Sequence, residues 1–122
     1  MSPIVIIALT AIISISLVKR YNVVEVLAWH SQGEEIYWEF GENTPEKSYR
    51  LANLFATASG YSIANPAESA AYAGFKDWFV DKTGNPGFTI EIGKGENPLN
   101  PNLLYSIYEN LRELMLLSIS LA

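Results

Sequence analysis

The chain has 122 residues, 49% of them hydrophobic and 17% charged, with a formal net charge of −5. That is enough for one small domain with a core, too little for two, and unlike the composition of a disordered chain. The absence of cysteine and the single histidine, His30, exclude disulfide staples, thiolate chemistry and any metal site built from several histidines of this chain. Eight basic residues against thirteen acidic ones, with no basic stripe, argue against nucleic acid as a partner.

Residues 1–18 carry no charge, and Lys19-Arg20 follow directly. Two readings are open. One is an apolar helix buried in the domain, its basic end suiting the negative pole of the helix dipole. The other is a membrane segment, at the lower edge of the length that spanning needs. The many β-branched residues pull against a helix. The basic pair stands after the apolar run, the wrong side for a secretory signal.

Val23 to Trp29 reads as a mostly apolar, interior strand. His30-Ser31-Gln32-Gly33 forms its end and a turn, and Glu35 to Phe40 a second, shorter strand. Thr44-Pro45-Glu46 has the chemistry of a helix start: a capping hydroxyl, proline at the first position and an acid in the first turn. Leu51, Leu54, Phe55 and Ala58 then make one helical face, stopped by Gly60. Tyr61 to Ala64 is a short edge strand, Asn65 to Glu68 a capped turn, and Ala71 to Lys82 a helix stopped by Gly84. In Gly87 to Gly93, Phe88, Ile90 and Ile92 point one way and Thr89 and Glu91 the other. After a Gly/Pro/Asn loop, Asn100-Pro101 starts the last helix, whose apolar stripe is Leu104, Ile107, Tyr108, Leu111, Leu114 and Met115. This order of elements predicts an α/β fold with a sheet covered by helices.

Two residues stand out chemically. His30 lies where a strand runs into Ser-Gln-Gly, and strand ends are where ligands bind in open α/β sheets. It reads either as part of a site or as a structural histidine bonded at a strand end. Glu91 lies inside an apolar strand. A carboxylate there must be paired, metal-bound or protonated, unless the strand is an edge and the side chain meets solvent. A Ser-His-Asp triad has no nucleophile elbow to anchor it, and Gly93-Lys94-Gly95 lacks the spacing of a phosphate loop.

Three blocks in order carry a resemblance: His30-Ser31-Gln32-Gly33-Glu34-Glu35-Ile36-Tyr37-Trp38, Gly74-Phe75-Lys76-Asp77-Trp78-Phe79, and Gly87-Phe88-Thr89-Ile90-Glu91-Ile92-Gly93-Lys94-Gly95-Glu96-Asn97-Pro98. Together they resemble the zinc carboxypeptidase family that contains carboxypeptidase A, in the flavour of bacterial γ-D-glutamyl-L-diamino acid endopeptidases. The resemblance runs roughly from Lys19 to Leu117. It implies a mixed β-sheet flanked by helices, of which this chain would be the C-terminal portion, with 19–122 a partial domain preceded by the apolar segment 1–18. It implies zinc as cofactor, held in the family by an H-x-x-E pair and a later histidine, with a glutamate on a late strand as general base. His30 matches the later histidine and Glu91 the glutamate. Lys76 matches a position that lines the family's specificity pocket, where it would favour an acidic side chain; the alternative is a solvated helix lysine. Tyr72 stands for the family's mobile tyrosine, although an ungapped reading puts it three residues too late.

Nothing in the chain supplies the H-x-x-E pair, since there is no second histidine. The expected function is therefore that of a metallocarboxypeptidase-family protein acting on peptide or muropeptide C-terminal bonds, present as an incomplete and inactive fragment that would bind zinc poorly alone. The alternatives are a non-catalytic remnant and a membrane-anchored interaction protein. The resemblance further leads one to expect His30 and Glu91 on one cleft at the sheet's edge, and Trp78 and the stripe Leu104, Ile107 and Leu111 are expected to be buried.

Overall fold

The computed structural model describes the backbone of residues 3–65 and 74–122, with side chains from residue 12 onward. Its elements are α1 (Pro3–Arg20), β1 (Val26–His30), β2 (Glu35–Tyr37), α2 (Glu46–Ser59), β3 (Ser62–Ala64), α3 (Phe75–Thr83), β4 (Gly87–Glu91), a 3-10 turn (Pro101–Leu103) and α4 (Leu104–Leu121). The four strands form one mixed sheet in the order β1-β4-β2-β3. β1 runs parallel to β4, β4 antiparallel to β2, and β2 parallel to β3. The fold is thus α/β, a mixed sheet flanked by helices, as expected. Tyr72, most of the predicted turn after Asn65 and the first residues of the helix predicted from Ala71 lie outside the described residues.

Alternation gives the sheet two different faces. Phe88 and Ile90 of β4 and Ile36 of β2 are fully buried, with Leu27 and Ile63 beside them. Against this face pack Leu51, Ala52 and Phe55 of α2 and Leu111 and Leu114 of α4. Phe55 meets Phe88 edge-on, with ring centroids 5.0 Å apart, a geometry that adds to the area the two rings bury. On the opposite face α3 covers the starts of β1 and β4. A Cβ added at Gly87 would lie 3.1 Å from Val80 and 3.2 Å from Lys76, so the bare glycine lets the helix come close. The far end of that face, where β1 and β4 finish, is left to polar residues.

Several expectations are corrected. β1 is an edge strand, not an interior one, and Trp29 is 42% exposed because no described strand lies beyond it. Thr44 does not cap α2; its hydroxyl turns back to bond both the N–H and the carbonyl of Phe40, at 2.7 Å each, closing the 40–44 loop. Leu54 faces solvent, because α2 buries Ser48, Leu51, Ala52, Phe55 and Ser59 instead. Trp78 is only half-buried, stacked on Phe75, because Lys76, Phe79 and Val80 form the inward stripe of α3. The stripe of α4 is buried in part. Leu111 and Leu114 are in the core and Ile107 packs half-buried against it, while Leu104 and Tyr108 on neighbouring positions are exposed. In the N-terminal segment, where side chains are described, Ile12, Ile13 and Leu17 are exposed and Ile15 and Val18 half-buried. Among the residues with described side chains, no helix is long and apolar enough to cross a membrane.

Glu25, just before β1, is half-buried beneath α4. Ser118 Oγ donates to Glu25 Oε1 at 2.5 Å, while Oε2 is buried without a partner. Burial pushes the carboxyl up from its ordinary value, against the opposing pull of the Ser118 hydrogen bond and the Lys47 charge. The folded state therefore holds this proton more tightly than the unfolded chain does. Its contribution to stability is most favourable below the ordinary carboxyl range and is lost as pH rises through the raised folded value. Glu25→Gln keeps the Ser118 bond and removes the charge. Urea unfolding between pH 4 and 8 should show the variant's stability falling less as pH rises, with this part of the pH slope gone.

Candidate functional site at the ends of the central strands

The register of the sheet decides which polar residues meet. His30 of β1 is the cross-strand partner of Glu91 of β4, and Glu91 is in turn the partner of Glu35 of β2. Neighbouring strands lie about 4.8 Å apart and partners share a face. His30, Glu91 and Glu35 are therefore one transverse row on the face that α3 leaves open. His30 is exposed, and Glu91 and Glu35 are half-buried. The expectation of one face for His30 and Glu91 agrees with this row, although only His30 stands on an edge strand.

Two loops close the row from behind. Ile92 N–H donates to the His30 carbonyl at 2.8 Å, and Gly33 N–H to the Gly93 carbonyl at 2.8 Å. Ser31 Oγ donates to Asn97 Oδ1 at 3.0 Å, and Asn97 Nδ2 returns a bond to the Ser31 carbonyl at 3.2 Å. Gly93, at a φ of 68°, takes a left-handed conformation that suits glycine, and its N–H reaches Tyr61 Oη at 3.2 Å. The peptides Ser31–Gln32 and Asn97–Pro98 are cis. The strand end bearing His30 is thus tied to the strand end bearing Glu91 by backbone and side chain alike.

Sequence reading missed the third member of the row and its support. Tyr37 stands two residues along β2 from Glu35, so both side chains share the open face. Tyr37 Oη donates to Glu35 Oε2 at 2.7 Å. The phenol is pushed up to about 12, first by that hydrogen bond, then by burial and by the charges of Glu35 and Glu91. It remains protonated throughout the physiological range. The signal was the alternation Glu35-Ile36-Tyr37 around a fully buried isoleucine.

Lys76 is neither solvated nor beside the row. It is 3% exposed, and its ammonium donates to the Glu39 carbonyl at 2.9 Å and pairs with Asp77 at 2.5 Å. Its stem packs on Gly87, at the other end of β4 from Glu91, about 13 Å along the strand.

Catalytic zinc takes three protein ligands and keeps a position open. Among the described residues no group of three His, Asp or Glu side chains is gathered to hold a metal ion. The described donors of this row do not by themselves complete a zinc centre.

No known family profile matches the chain. It is homologous over part of its length to two curated proteins. It is 41% identical over 99 residues to gamma-D-glutamyl-L-diamino acid endopeptidase 1 of Lysinibacillus sphaericus, a match covering 81% of this chain and 24% of that protein. It is 43% identical over 74 residues to the uncharacterized protein YqgT of Bacillus subtilis strain 168, covering 61% of this chain and 20% of that protein. The chain spans about a quarter or less of the length of either relative.

Proposed function

We propose that this chain is the C-terminal portion of a hydrolase of the zinc carboxypeptidase kind, acting on peptide or muropeptide bonds next to a diamino acid. The single observation that carries the reading is the pairing of His30 with Glu91 at an open strand end. It agrees with the roles that the resemblance implies for these two residues. Partial identity to an enzyme named for γ-D-glutamyl-L-diamino acid bonds supports the substrate class. In this reading His30 would be one ligand of a zinc ion, and the ion would supply activation of the attacking water. Glu91 takes the proton of the attacking water and returns it to the leaving amine.

Zinc titration by calorimetry tests the reading. The chain alone should bind no stoichiometric tight zinc. Mixed with a polypeptide carrying a strand followed by H-x-x-E, it should bind one zinc per complex, and His30→Ala should abolish that binding. Tight zinc on the isolated chain, or a mixture that takes up zinc equally well with His30→Ala, would overturn the assignment. A mixture that takes up no zinc would decide for a second reading, a non-catalytic remnant.

A further inference from the structure

On the proposed hydrolytic reading, we infer that Glu35 is the specificity-determining residue of this site, and that it reads the distal ammonium group of a diamino acid. Glu35 is the immediate neighbour of Glu91 in the row, so a group bound at Glu35 lies one strand spacing from the proposed base. Tyr37 holds one carboxylate oxygen, Oε2, and leaves Oε1 free to accept a second bond. A Cβ at position 33 would come within 3.3 Å of Oε2, so the bare Gly33 makes room for the carboxylate to lie where it does.

Charge compensation is the second element. Among the described residues no lysine or arginine pairs with Glu35 or Glu91. Lys76 is engaged by Glu39 and Asp77, and Lys94, three residues past Glu91, turns out to Glu34 at 3.3 Å. Two half-buried carboxylates side by side, steadied by one phenol, repel an anionic side chain and favour a cationic one. This reverses the preference that Lys76 would have imposed. A diamino acid carries one ammonium beyond its peptide-forming amine, and the relative from Lysinibacillus sphaericus is named for cleaving at such a residue.

The test is a pair of probes that differ only in that amine, γ-D-glutamyl-L-lysine and γ-D-glutamyl-L-norleucine. They are titrated into the isotope-labelled full chain and followed by NMR, without zinc and without turnover. The lysine peptide should bind at least about tenfold tighter than the norleucine peptide, with the largest shifts at Glu35 and Tyr37. Glu35→Gln, nearly isosteric and exposed on one side, should equalise the two peptides; Tyr37→Phe should shrink the preference without removing it. Equal binding by the unaltered chain, a preference that survives Glu35→Gln, or no binding of either peptide would each overturn the inference. Because the readout needs neither metal nor hydrolysis, failure of the hydrolytic reading appears in the zinc titration and not here.

Discussion

Glu91→Gln should lower turnover of a γ-D-glutamyl-diamino acid peptide by about a thousandfold, measured on the chain combined with a polypeptide that carries H-x-x-E. A positioned general base contributes roughly 10²–10⁴ in rate, and glutamine cannot take a proton. The side chain keeps its length and stays within β4 between His30 and Glu35, so the sheet should be undisturbed. The chain alone should show no turnover, because one imidazole does not hold a catalytic ion against water. Peptide affinity should change little, so the loss belongs in kcat. Turnover within tenfold of the unaltered mixture would remove Glu91 from the role of base. Glu35→Gln serves as the contrast: it lies in the same row but should raise KM for the diamino substrate more than it lowers kcat.

Phe88→Ala should unfold most of the chain at room temperature or leave it barely stable. Phe88 is fully buried on the central strand, with Phe55 of α2 at 5.0 Å and its neighbour Ile90 also without exposure. Truncating a buried phenylalanine removes its transfer energy and leaves a cavity, at about 3–5 kcal/mol. A domain of this size has about 5–15 kcal/mol in total. Among the described strands β1 is an edge, and Leu104, Tyr105, Leu116 and Ile119 are largely exposed, so the reserve belongs at the low end. Chemical denaturation followed by tryptophan fluorescence measures the loss. Phe88→Leu, which conserves more volume, should cost less than half as much. Equal stability of Phe88→Ala and the unaltered chain would mean that the core is not centred on β4.

Much of the local structure was legible in the residues. Strict alternation placed Phe88 and Ile90 on one face and Glu91 on the other, because a strand has a period of two whatever it pairs with. Gly60 and Gly84 marked the ends of α2 and α3, where φ is 75° and 65° and a side chain would be strained. His30 and Glu91 were visible as a histidine at a strand end and a carboxylate in an apolar strand, types that need a reason to be there.

What the sequence could not decide were the facts set by partners distant along the chain. That His30 stands beside Glu91 depends on β1 pairing in parallel with β4, and that Glu35 joins them depends on β2 pairing antiparallel on the other side. Register is fixed by bringing Leu27, Phe88, Ile90, Ile36 and Ile63 from four strands onto one face at once, and no segment carries that information alone. The burial of Lys76 followed likewise from α3 lying against Gly87, which brings the ammonium to the Glu39 carbonyl. The exposure of Leu54, Leu104 and Tyr108 had the same origin. Helical spacing by itself says which residues share a face, and only the neighbouring elements decide whether that face is covered.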